Sequence, residues 1–215
     1  NVGYTDLPPD LGPGRAGSEG RPRRGVDGGG RRYWVAVARE CFEECGVLLS
    51  RDAQGKIGIP AAQRQQLAIQ RQRLLQEDVT WHDMLREHNL TIASDRLVYF
   101  SHWLTPPSVP RRFDTRFFLA ALPDGEVALS DTQETIAGEW IEPSQALENH
   151  KQGNWQMIGP TLRSLDTLTA FSRVDEALAE VRAERHVRSW TPALGSDGMQ
   201  PFRAGYSDPG LKANP

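Results

Sequence analysis

The sequence predicts an α/β fold, and three observations carry that expectation. Apolar residues recur at helical spacing from Arg32 to Cys45. A Gln-, Leu-, Arg- and Glu-rich region free of Gly and Pro follows over 61–89. Two aromatic and branched runs, 97–104 and 116–122, then read as strands.

Taken in order, residues 1–31 are dominated by Gly, Pro, Arg and Asp and predict a flexible segment with neither helical stripe nor strand alternation. In the first helix Trp34, Ala38, Cys41 and Cys45 mark one face, and Gly46 stands where a helix ends on a residue tolerant of positive φ. Val47, Leu48 and Leu49 read as a short buried strand. After a loop over 51–60, two helices are expected with a break near Asp78–Thr80, Thr80 capping the second. The strand 97–104 stops at Thr105-Pro106-Pro107, and 116–122 closes on the turn Pro123-Asp124-Gly125. Trp140-Ile141 reads as a third strand and Pro143-Ser144 as the start of a helix to His150. Two more helices are expected over 160–171 and 174–185, with an irregular tail from 188 to 215.

Charge and cysteine usage exclude several functions. A formal net charge of −3 supplies no global basic field, so nucleic-acid coating is not expected. Cys41 and Cys45 are the two cysteines of the chain and sit four residues apart, which rules out a disulfide framework and favours a reducing compartment. No apolar run approaches membrane-span length and no signal-peptide pattern opens the sequence, so a soluble cytoplasmic protein is expected.

Chemistry concentrates on the first helix. Glu40, Glu43 and Glu44 stand at i, i+3 and i+4 and leave one face together. Three crowded carboxylates repel one another unless a positive charge sits among them, and a hard divalent cation such as Mg²⁺ or Mn²⁺ meets that need through oxygen ligands. Arg39, four residues before Glu43, can pair with it and fix its rotamer. A solvated acidic face is the plain alternative for such a pattern. Elsewhere the five histidines are scattered without metal-ligand spacing, two thiols alone favour packing over soft-metal binding, Ser101-His102 lacks a glycine-flanked nucleophile turn, and no phosphate-binding glycine loop occurs.

The string RECFEECGV at 39–47 resembles, slot by slot, the second half of the Nudix signature: Arg-Glu, an apolar slot filled by Cys41, any residue, Glu-Glu, any residue, Gly46, then the aliphatic Val47. Residues 101–123 resemble the strand pair of the branch that includes peroxisomal coenzyme A diphosphatase and its bacterial relatives, and WIEPSQAL at 140–147 is similar to the closing strand and helix of many Nudix domains. The resemblance implies a Nudix-type mixed sheet packed between helices over 32–187, with a helical insertion at 61–90. It implies a pyrophosphohydrolase that cleaves a nucleoside diphosphate linked to another moiety, with a coenzyme A-type substrate favoured. Carried over residue by residue, Glu40, Glu43 and Glu44 would hold the metal, Glu43 and Glu44 supplying the base, with Arg39 orienting them. Glu134 would be a further ligand or base, and Arg111, Arg112 and Arg116 would meet substrate phosphates, Arg116 and its neighbours having pairing with Asp114 as the alternative. The partner is thus a small nucleotide, with neither nucleic acid nor membrane expected and a homodimer left open. The first half of the signature departs from the pattern: Gly25 fits its glycine slot, but Arg31 stands where a glutamate is required. The domain is therefore expected to be incomplete at its N-terminal side, and a non-catalytic or truncated Nudix-like nucleotide-binding protein is the rival reading.

Overall fold

The computed structural model describes residues 31–105, 113–129, 138–183, 186–192 and 202–212. The flexible reading of residues 1–31 falls, but for Arg31, outside them. The chain divides into two compact units. One comprises Asn1–Leu97 with Ala120–Gly138, the other Val98–Leu119 with Glu139–Pro215. No described helix is long and apolar enough to cross a membrane.

In the first unit α1 (Arg31–Cys45) leads, as its spacing predicts. Its buried stripe is Trp34, Ala38 and Phe42, not Trp34, Ala38, Cys41 and Cys45. Phe42 wins the core position because its ring meets that of Trp81, centroids 6.0 Å apart, and buries more apolar surface than either half-exposed thiol could. Gly46 adopts φ +71° and its amide bonds the Phe42 carbonyl at 2.9 Å, closing the helix as expected. Val47, Leu48 and Leu49 are buried, but the strand β1 (Ser50–Arg51) starts only after them. It pairs antiparallel with β2 (Thr91–Ile92).

A helical turn at Ala61–Gln63 leads into α2 (Arg64–Leu75), whose buried residues Leu67, Gln70, Arg71 and Leu74 fall at i, i+3, i+4 and i+7 on the face toward α1. The break before α3 (Trp81–Glu87) comes where the sequence places it, and the Thr80 hydroxyl accepts from the Asp83 amide as its N-cap. Glu126, buried, accepts from the Ile59 amide and so holds the 51–60 loop. Gly58, at φ +94°, lies so close that a β-carbon there would come within 3.1 Å of the same carboxylate.

The second unit is built on a four-stranded sheet in the order β4-β3-β5-β6, comprising β3 (Val98–Leu104), β4 (Asp114–Leu119), β5 (His186–Pro192) and β6 (Phe202–Lys212). β3 lies parallel to β5 and antiparallel to β4, with an irregularity between Tyr99 and Ser101; β5 and β6 run antiparallel. The irregularity after Tyr99 shifts the alternation, so central β3 buries Val98 and Trp103 on one face and Tyr99 and His102 on the other. β4 begins and ends earlier than the run 116–122, since its ladder starts opposite Leu104 at Asp114 and stops opposite Val98 at Leu119. Two expectations fail here. Trp140-Ile141 forms no strand, and Trp140 is largely exposed, with no ladder partner among the described residues. The tail beyond 187 contains most of β5 and all of β6, because Trp190 stacks on Trp103 with centroids 5.9 Å apart and ties β5 to the central strand. Between β4 and β5 run α4 (Pro143–Lys151), α5 (Gly159–Leu168) and α6 (Val174–Ala183), near their expected bounds. Pro143 opens α4 in its first turn, where a missing amide is harmless; α4 packs on α5, and α6 on β3.

A polar chain crosses this sheet. The Ser189 hydroxyl lies 2.7 Å from His102 Nδ1, whose Nε2 meets Asp114 at 2.5 Å, and the Arg116 guanidinium donates to Asp114 at 2.7 Å. The hydrogen bond from His102 and the Arg116 charge hold the Asp114 carboxyl below its ordinary range. Its folded pKa therefore lies under the unfolded value of about 3.9, so the stabilisation is complete above that pH and is lost as pH falls through the folded value. Asp114→Asn is expected to lower Tm by roughly 2–4 °C at pH 7, a modest effect because the carboxylate is half exposed. The gap from wild type should close below about pH 4; melting curves that stay parallel down to pH 2 would refute the assignment.

Gly46 supports a second test. Alanine there is strained by about 1–2 kcal/mol, and its β-carbon would come within 3.1 Å of Arg71 Nη1. Gly55, at φ +82° with nothing within 4 Å of such a carbon, isolates the backbone part. In urea denaturation Gly46→Ala should cost more than Gly55→Ala, and equal losses would show that Arg71 yields freely.

Candidate functional site

The carboxylate helix owes its presentation to the core beneath it. With Trp34, Ala38 and Phe42 buried, Glu40, Glu43 and Glu44 leave α1 on the far side. Arg39 lies between two of them: Nη2 donates to Glu40 Oε1 at 2.7 Å, and Nη1 reaches Glu43 at 3.4 Å. The sequence suggested the Glu43 pairing; the closer contact is to Glu40. The Glu43 side chain is 14% exposed and that of Glu40 42%, while Glu44 is exposed. One guanidinium thus restrains the more buried carboxylate and an outer one, leaving Glu44 facing solvent.

The donor set fits a hard divalent cation in kind, being carboxylate oxygens gathered on adjacent turns of one helix face. Among the described residues no group of three or more His, Cys, Asp or Glu converges as ligands. Arg39 supplies the positive charge between Glu40 and Glu43 in this arrangement.

The last turn of α1 is held from two directions. Arg71 of α2 donates from Nε to the Glu43 carbonyl at 3.1 Å and from Nη2 to the Leu129 carbonyl at 2.9 Å. The Leu129 amide in turn donates to the Cys45 carbonyl at 2.8 Å. Cys41 and Cys45 stand 3.6 Å apart through sulfur on the same helix. The Cys41 S–H donated to Cys45 pulls the Cys45 thiol down, and the same bond together with burial pushes Cys41 up. When Cys45 is protonated it donates to the Cys41 carbonyl at 2.8 Å. No third His, Cys, Asp or Glu joins them among the described residues.

The other expected site residues fare differently. Arg116 lies in β4 with its side chain 10% exposed and bonded to Asp114, which is the structural pairing its neighbourhood allowed. Glu134, Arg111 and Arg112 lie outside the described residues. The Ser189–His102–Asp114 order is that of a nucleophilic triad, but Ser189 is 2% exposed and its hydroxyl cannot meet a substrate, so the chain is a cross-link within the sheet. Sequence reasoning missed Arg71 and Glu126. Arg71 carried one usable signal: it lies between Leu67 and Leu74 on one helical row.

Comparison with known proteins shows the family. A family model for the NUDT19 Nudix domain matches residues 31–168. Acyl-coenzyme A diphosphatase NUDT19 of Homo sapiens is 29% identical over 184 residues, covering 78% of this chain and 48% of that protein. The protein of the same name from Xenopus laevis is 28% identical over 180 residues, covering 77% and 47%. Putative nudix hydrolase 7 of Caenorhabditis elegans is 28% identical over 143 residues, covering 65% and 45%. The chain spans about half the length of these curated relatives. The crystal structure of a NUDIX hydrolase from Alicyclobacillus acidocaldarius superposes with a TM-score of 0.52 at 27% identity, covering 66% of this chain and 63% of that one. The expected α/β architecture is therefore that of a Nudix fold. With its carboxylate helix and most of its described elements inside the matched span, the chain belongs to the NUDT19 Nudix domain family.

Proposed function

We propose that this chain is the hydrolase domain of a pyrophosphohydrolase that cleaves the diphosphate bond of acyl-coenzyme A or a closely related nucleoside diphosphate derivative. The observation that carries this reading is the placement of Glu40, Glu43 and Glu44 on one outward face of α1, restrained by Arg39, inside the segment matched by the family model. Two of the relatives are named acyl-coenzyme A diphosphatases, which favours that substrate class here.

Glu40, Glu43 and Glu44 would hold Mg²⁺ or Mn²⁺ through carboxylate oxygen. A cation held there would supply charge neutralisation at the substrate phosphates and would acidify a water. The protein's own contribution is then positional and acid–base. Glu43, mostly covered and gripped by Arg39, is pre-set in one rotamer and contributes its charge without reorganisation. Glu44, exposed one position along, is suited to accept a proton from the attacking water. Arg39, bonded to both, offsets the charge of Glu40 and Glu43. Glu134 is proposed as a further acidic group. Arg111 and Arg112 are proposed as phosphate contacts, since a guanidinium fork matches phosphate oxygens. Arg116, already engaged by Asp114, is the weakest of the three for that role.

A second reading, nucleotide binding without turnover, is favoured by the ion pairs that already satisfy Glu40 and Glu43. The two separate in one assay. Purified protein with acyl-coenzyme A and Mg²⁺ or Mn²⁺ should add water across the diphosphate and release two products, each keeping one phosphate of the cleaved linkage. Chelation should stop the reaction, and Glu43→Gln or Glu44→Gln should lower kcat by roughly a hundredfold or more. Tight binding of the substrate with no product under either metal would establish the binding protein instead.

A further inference from the structure

We propose that Arg71 is a positioning residue for the carboxylate helix, gripping the backbone of Glu43 so that the last turn of α1 presents its carboxylates in register for a divalent cation. The inference rests on the reading of α1 as the metal-binding helix and adds to it a residue outside the Nudix signature.

A buried guanidinium demands an explanation. Arg71 is 8% exposed on the inner face of α2, and no carboxylate pairs with it among the described residues. Removing such a charge from water costs several kcal/mol unless hydrogen bonds and opposing charge offset it. Here the offset comes from backbone. The last four carbonyls of a helix lack partners within it and carry the negative end of its dipole. In α1 these belong to Phe42, Glu43, Glu44 and Cys45. Phe42 accepts from the Gly46 amide, Cys45 from the Leu129 amide, and Glu43 from Arg71 Nε. Nη2 of the same guanidinium binds the Leu129 carbonyl, so Arg71 joins the helix end to the strip of chain that also pairs with Cys45.

Glu43 is consequently held at two points by two arginines, its side chain by Arg39 and its carbonyl by Arg71. Gly46 completes the fit, since any side chain there would crowd Arg71 Nη1. A planar fork can bond two carbonyls from one buried position, whereas a lysine ammonium presents a single point charge on a thinner stem. Loss of this grip frees the final turn, and Glu43 and Glu44 move with it.

The experiment measures Mn²⁺ binding by titration calorimetry on the whole chain as Arg71→Gln, Arg71→Lys and the control Arg73→Gln, with acyl-coenzyme A turnover recorded alongside. Arg73 is exposed on the same helix and bonds Gln70. Arg71→Gln is expected to weaken Mn²⁺ binding by about tenfold or more, Arg71→Lys by less, and Arg73→Gln not at all. Wild-type Mn²⁺ affinity in folded Arg71→Gln overturns the proposal. Should Arg71→Gln lose its cooperative melt, Arg71→Lys decides: weakened Mn²⁺ binding in a folded protein supports the role, and unchanged binding overturns it. A wild-type chain that binds Mn²⁺ but turns over no substrate overturns the enzymatic reading and leaves the role of Arg71 standing. Turnover by wild type with unchanged Mn²⁺ affinity in both Arg71 variants does the reverse. Absence of Mn²⁺ binding by the wild type overturns both.

Discussion

Burial of Phe42 against Trp81 fixes the rotation of α1, and the direction of every charged group on that helix follows from it. A fully buried Phe contributes about 1.5–3 kcal/mol from area alone, with about 0.5–1.5 kcal/mol more from an aromatic partner. An exposed carboxylate contributes nothing comparable to orienting a helix. The apolar stripe of Trp34, Ala38 and Phe42 thus decides the orientation, and Glu40, Glu43 and Glu44 take the face that remains. The signature residues are adjacent in sequence to the core residue that aims them, so a family could not shift one set without the other.

Electrostatic strain on that helix is relieved locally. Three carboxylates within two turns repel, and each like-charge pair at helical spacing costs a few tenths of a kcal/mol, roughly 0.2–0.5. Arg39 offsets part of this from the same helix, through side chains. Arg71 acts from a neighbouring helix and on the backbone, at the dipole's negative end. The two arginines do different work: the first moderates charge at the outer face, the second anchors geometry from within. That division matches their placement, Arg39 partly exposed among the carboxylates and Arg71 enclosed.

Much of this was legible in the sequence, where periodicity and punctuation were strong. The extent of α1, the Gly46 terminus, the Thr80 cap and the Pro143 helix start all follow from local chemistry that tertiary contacts did not override. The failures share a different cause. Cys41 and Phe42 are neighbours, and spacing alone does not tell which of two apolar residues turns inward; the ring of Trp81, thirty-nine positions on, decides. Strand β5 is visible only through Trp103, eighty-seven positions earlier, which supplies both a ladder and a ring to stack on. Trp140 misled for the converse reason, being aromatic and β-prone yet given no neighbouring ladder among the described residues. Of the site, the signature residues could be read directly, whereas Arg71 required knowing which charged residue of α2 would be enclosed.

The same dependence on remote partners distinguishes the two polar networks of the molecule. His102, Asp114, Arg116 and Ser189 gather on three strands of one sheet and satisfy one another, so their chemistry is spent on holding the ladder together. The serine and the histidine are both buried, and the half-exposed carboxylate is tied to His102 and Arg116. On α1 the order is inverted. Its polar groups become more exposed from Glu43 to Glu40 to solvent, and the enclosed charge, Arg71, binds backbone rather than the carboxylates themselves. Burial of the anchor with exposure of the reactive groups is what a metal-binding surface requires, because ligands must exchange water for metal while their backbone stays fixed. By that criterion the helix of residues 31–45 suits the proposed chemistry better than the histidine network does.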